Sequence, residues 1–228
     1  MPVAALAWDA EAAVWPYLVA TGVFELAYFA LLAAAYRRSE LSLVYPLARG
    51  TAPVLVLGLG AIVGFGASWL QGAGVVLVGV GVVLVRGLGR GADVSGVGVA
   101  LAIAGCIAAY TLIDKRGLRH AGPITYLELS MVGPGLVYAG AVVATKGRAR
   151  VGAEMKPPIV AAGLAVFDAY ALVLAALQRA SAASVAAVRE TSVVIAAVLA
   201  GRVLAERVSP ARLAGAVLVA GGVALLSL

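Results

Sequence analysis

Eight long apolar stretches, parted only by short polar turns, set what this chain can become. They fall at 15–36, 41–65, 68–86, 93–114, 122–145, 157–178, 181–204 and 209–228. Wound as helices, runs of about 18–25 apolar residues match the hydrocarbon thickness of a bilayer, and they are too many and too long for a signal peptide ahead of a soluble domain. Within lipid every backbone N–H and C=O has to be satisfied inside its own segment, so the expected fold is all-α and polytopic, with eight transmembrane helices. Composition agrees, with 63% hydrophobic and 12% charged residues and a mean hydropathy of +1.05; soluble domains carry about 25% charge. The longest connection, 146–156, is too short to hold a soluble domain.

The net charge of +6 is spread over these turns and not gathered on one face, so the expected partner is the lipid bilayer and not nucleic acid. If Met1 lies outside, the inner loops collect Arg37, Arg38, Arg86, Arg90, Lys146, Arg148, Arg150, Lys156, Arg202, Arg207 and Arg212. The outer loops then hold only Lys115, Arg116, Arg119 and Arg179. The positive-inside rule therefore expects both termini outside a cytoplasmic (inner) membrane. Cys106 stands alone in an apolar stretch and reads as a small hydrophobe. His120 has no companion at ligand spacing, no HExxH is present, and no nucleophile stands beside a base, so neither a metal, a cofactor nor an enzymatic activity is expected. No ATP-binding motif occurs, and Gly79-Val80-Gly81 reads as close helix packing.

Two arginines interrupt the apolar stretches in similar surroundings: Val44-Tyr45-Pro46-Leu47-Ala48-Arg49-Gly50-Thr51, and Val185-Ala186-Ala187-Val188-Arg189-Glu190-Thr191-Ser192. Each is followed by an apolar helix, a short turn and a Gly-rich closing helix. Gly74 and Gly81 align with Gly215 and Gly222, Tyr28 with Tyr170, and Arg49 with Arg189, at offsets of 140 to 142 residues. A repeated membrane unit with a charge inside it points to a transporter built from two related parts. The expected division is 1–90, a first repeat of three helices, and 91–228, a second of five whose last three match them, so two helices are expected to be missing from the front.

A guanidinium about 12 Å along a membrane helix costs several kcal/mol unless it is paired or in water. Arg49, with Tyr45 one turn earlier, is read as lining a cavity for an anionic solute or as pairing with a neighbouring carboxylate; the alternative is a snorkelling anchor. Arg189 carries the same argument, with Glu190 beside it. Successive residues point about 100° apart, so at least one of these two seeks another helix. Glu25, with Tyr28 at i+3, and Asp168, with Tyr170 and Tyr110 near it, are the expected partners, one for each arginine. These carboxylates read either as structural pairs or as a proton-coupling site. Glu128 is expected at the interface, and Asp114 in a solvated loop with Lys115, Arg116 and His120. Pro46 and Pro53 flank Arg49, and Gly133-Pro134-Gly135 marks a further bend.

The stretches Phe24-Glu25-Leu26-Ala27-Tyr28 through Thr51, and Val188-Arg189-Glu190-Thr191-Ser192 through Ala205-Glu206-Arg207 to Gly222, resemble the drug/metabolite transporter superfamily in its EamA-like branch. The resemblance implies ten helices in two inverted five-helix repeats around a cavity opened alternately to either side. It also implies cytoplasmic termini, against the charge count. This chain departs from the pattern in lacking the first two helices and in having Phe65 where the second repeat has Glu206. The implied function is secondary transport of a small organic metabolite or drug-like solute by alternating access. A second expectation is a truncated, non-transporting membrane protein acting as a partner or assembly factor, or a homodimer that completes the wall of the cavity.

Overall fold

The computed structural model describes residues 8–37, 41–66, 68–86, 94–192, 195 and 210–226. Among these, all regular structure is helical: α1 (Trp15–Arg37), α2 (Leu41–Ile62), α3 (Trp69–Arg86), α4 (Val94–Gly117), α5 (Pro123–Lys146), α6 (Arg148–Glu154), α7 (Pro157–Arg179), α8 (Ala182–Arg189) and α9 (Pro210–Leu226). Starts and stops follow local chemistry. Proline opens α5, α7 and α9, where the first turn has no use for its missing N–H. Ser181 caps α8 by accepting the Ser184 N–H at 3.0 Å. Gly64, just beyond α2, and Gly147, between α5 and α6, take positive φ values that a side chain would resist. Helix α5 runs on through Pro134.

Two sequence expectations are corrected. Helix α4 continues to Gly117, three residues past the expected end, which carries Asp114 inside the helix and out of the loop. The connection 146–156 is not plain loop, because α6 forms within it. Glu206 and the later part of the span expected at 181–204 lie outside the described residues, as does the side chain of Tyr45.

Among the described residues four helical stretches are long and apolar enough to cross a bilayer: Ala12–Ala35, Gly96–Gly117, Pro123–Lys146 and Pro157–Arg179. Ala48–Ile62, Trp69–Leu84 and Ala214–Val223 are shorter apolar helices. The chain is a multi-pass membrane protein, helical in all the regular structure of its described residues.

The chain divides into two compact units. The first, Met1–Leu26 with Ile113–Arg179, holds the start of α1, the end of α4, and α5 to α7. Val14, Leu18, Tyr126, Leu127, Leu174 and Leu177 are buried there. The Glu11 N–H donates to the His120 carbonyl at 2.9 Å, and the His120 ring, stacked on Tyr17, meets Glu11 at 2.8 Å. The second unit, Ala27–Leu112 with Ala180–Leu228, contains α2, α3, α8, α9 and the rest of α1 and α4.

In the second unit α3 packs along α9 and α2 along α3. A Cβ added at Gly81 would stand 2.7 Å from the Gly215 carbonyl oxygen, and one added at Gly222 would stand 2.6 Å from that of Gly74. Gly81 therefore meets Gly215 while Gly74 meets Gly222, so α3 and α9 run antiparallel and touch backbone to backbone. Membrane helices have no hydrophobic force to join them, since lipid is as apolar as leucine; close approach through small residues supplies the attraction instead.

Candidate functional site

In the first unit, helical spacing puts Thr21 and Glu25 one turn apart on one face of α1. Asp114 in the last turn of α4, Tyr126 near the start of α5 and Tyr170 midway along α7 supply the rest of a polar cluster. Thr21 Oγ1 donates to Asp114 Oδ1 at 2.6 Å, the Tyr126 hydroxyl to the same oxygen at 3.0 Å, and the Tyr170 hydroxyl to Oδ2 at 2.7 Å. Thr21 and Tyr126 lie 3.1 Å apart. Both oxygens of Asp114 thus accept, which is the pattern of an ionised carboxylate. Hydrogen bonds between membrane helices contribute about 0.6 kcal/mol on average, up to about 1.7. Three converging on one carboxylate offset much of the cost of removing it from water.

Glu25 lies within reach of the Tyr170 hydroxyl and close enough to Asp114 for their charges to repel. It is 4% exposed, and Asp114, Thr21 and Tyr126 are fully buried. Glu128, also on α5, is buried. Lys115 turns aside and donates from Nζ to the Leu177 carbonyl. Gly117 permits the approach of α4 to α5, because a Cβ there would collide with the Tyr126 ring.

In the second unit, Arg49 Nη1 on α2 meets Glu190 Oε1 at 3.2 Å, with the two side chains 23% and 5% exposed. Glu190 reaches Arg49 because α8 ends at Arg189 and Glu190 caps it, its backbone still near helical values. Arg189, one residue earlier, is half-buried in the last turn of α8, where a cation suits the helix dipole. Tyr28 is half-buried and packs edge-on against Tyr110, ring centres 6.3 Å apart.

The structure therefore brings together Glu25 with Tyr170 in the first unit and Arg49 with Glu190 in the second, and it sets Asp168 apart from the first unit's polar cluster. Asp168 is exposed. The reason is helical: two residues turn the helix by about 200°, so with Tyr170 facing the cluster, Asp168 faces away from it. Asp114 and Glu128, expected in a solvated loop and at the interface, are buried. The sequence signal for Asp114 was Tyr110 and Thr111 one turn before it on an unbroken helix; the following Lys115 and Arg116 masked it.

The model of the EamA-like transporter family matches residues 94–228. No curated protein and no solved structure matches the chain.

Proposed function

The chain belongs to the EamA-like transporter family, and from that premise we propose that it is a secondary transporter of a small organic metabolite or drug-like solute, working by alternating access in the cytoplasmic membrane. The family match across α4 to α9 is the observation that carries this reading. On it, residues 1–228 contribute eight membrane spans, with 1–90 and 91–228 belonging to inverted repeats.

The α3 and α9 crossing supports the inversion. Sequence alignment makes Gly74 equivalent to Gly215 and Gly81 to Gly222, and the contacts are Gly81 with Gly215 and Gly74 with Gly222. Reciprocal contact between antiparallel equivalents is what a two-fold axis in the membrane plane produces. Buried and half-buried polar groups inside apolar helices mark solute or ion pathways, which supports Arg49, Glu190, Arg189, Glu25, Tyr170 and Tyr28 as residues of the transport route; Tyr45 and Asp168 are assigned to it on the sequence pattern alone.

Purified protein in liposomes, given a panel of amino acids, nucleosides and cationic dyes, tests the reading. At least one class should accumulate, and Arg49→Ala and Arg189→Ala should lower its uptake. If both variants transport like the parent, the assignment of these residues fails; if no member of the panel moves, transport of this solute class fails.

A second reading, a homodimer or a partner-bound protein, is favoured by α7. Leu164, Val166 and Leu172 are exposed there beside Asp168. An ionisable group midway along an apolar helix needs cover from lipid. Cross-linking in native membranes through a cysteine placed at Leu172 should trap a second subunit, and a purely monomeric product rejects this reading.

A further inference from the structure

Within the first unit one group is left unsatisfied by the cluster that surrounds it. Glu25 Oε2 is buried and has no hydrogen-bond partner among the described residues, whereas both oxygens of its neighbour Asp114 accept hydroxyl hydrogens. A carboxylate oxygen kept from water without a donor is costly. The groups around it are Thr21 on its own helix, Asp114 on α4, Tyr126 on α5 and Tyr170 on α7; α4 and α5 also carry Lys115 and the buried Glu128. Lys115 is engaged by the Leu177 carbonyl, and Asp168 on α7 is exposed. The hydroxyls of Thr21, Tyr126 and Tyr170 direct their hydrogens at Asp114. The missing component at Glu25 is therefore a hydrogen, and two adjacent ionised carboxylates out of water would in addition repel each other.

We propose that Glu25 is a proton-binding site, taking up a proton at its carboxylate and releasing it while Asp114 keeps its negative charge in the cradle of Thr21, Tyr126 and Tyr170. In the loaded state Glu25 is a neutral acid whose new O–H can donate to the Tyr170 oxygen, while the Tyr170 hydrogen points to Asp114 Oδ2. In the released state Glu25 is a carboxylate again and needs water or a moved helix to satisfy it. A site whose two charge states call for different surroundings can bias a conformational equilibrium, by as much as it binds the proton differently in the two conformations. The use of this site to drive solute movement rests on the transport reading; the site itself does not.

Two measurements separate the two claims. In infrared difference spectra of the wild-type protein between acid and alkaline pH, with no solute present, a protonated-carboxyl stretch should appear that Glu25→Gln abolishes. Tyr170→Phe, which keeps both carboxyls, should shift that band, and this arm stands even if Glu25→Gln does not fold. In liposomes, a pH step imposed without other gradients should accumulate solute. That response should be lost in Glu25→Gln and kept in Glu154→Gln, whose carboxylate lies exposed on α6. A band that survives Glu25→Gln, or one unmoved by Tyr170→Phe, overturns the proton site. Uptake that follows a sodium gradient and ignores pH overturns the coupling of this site to solute movement. A band that behaves as stated in a protein that moves no solute upholds the site and rejects the transport reading alone.

Discussion

In the second unit the carboxylate of Glu190 is met at 3.2 Å by the guanidinium of Arg49, and their charges cancel. In the first unit Asp114 is held by three hydroxyls, and Glu25 stands next to it with one oxygen unfilled. Both arrangements bury charge within helices of an apolar chain, yet they have opposite capacities. An ion pair neutralises the charge of its carboxylate and resists change. A carboxylate cradled by hydroxyls keeps a fixed charge, and a second carboxylate beside it can alternate. On the proposal made for Glu25, one region holds and the other switches.

The largest expected effect tests the holding role. Arg49→Ala leaves Glu190 buried without its counter-ion, and removing one partner of a buried pair costs about 3–5 kcal/mol. The thermal midpoint in detergent should fall sharply, and Arg49→Gln combined with Glu190→Gln should recover most of the loss. If the double variant is no more stable than Arg49→Ala, the pair does not hold the unit as described. Next comes Gly81→Val, which drives a side chain into the Gly215 carbonyl and Val219. Overpacking of this kind costs about 1–3 kcal/mol, and it should destabilise the second unit while leaving the Glu25 infrared band unmoved. A shifted band would show that the units do not act separately. Thr21→Val removes one of the hydroxyl donors to Asp114, for which about 0.6–1.7 kcal/mol is expected; a larger loss would mean that this cluster holds the fold as firmly as the ion pair does. Asp168→Asn, on an exposed position, should change stability by no more than about 0.5 kcal/mol, measured by the same melting assay.

The helices were legible from apolar length alone, because lipid leaves the backbone no alternative; expected and observed bounds for α1, α3, α5 and α7 differ by a single residue or less at either end. Side-chain partners were less legible. Arg49 and Glu190 were both singled out as buried charges needing a partner, but which helix supplies it is decided by packing, and a separation of 141 positions carries no periodic trace of that choice. Asp114 was missed for a different reason. Charge runs such as Asp114-Lys115-Arg116 usually mark a helix end in solvent, and here the helix continues three residues further, turning the aspartate inward while the lysine caps a neighbouring carbonyl.

The reciprocal crossing of α3 and α9 has a consequence, on the proposed reading of two inverted repeats, for how such a chain changes over time. Contacts of Gly81 with Gly215 and of Gly74 with Gly222 would then be those by which two copies of a half-length unit recognise each other. In a pair of identical subunits a substitution in such a seam strikes twice, and every residue has to serve in both settings. Joined in one chain, each substitution strikes once, so the copies are free to diverge around a shared seam of glycines. The two arginines fit that reading: one lies between Pro46 and Pro53, and the other is followed by a glutamate that meets the first.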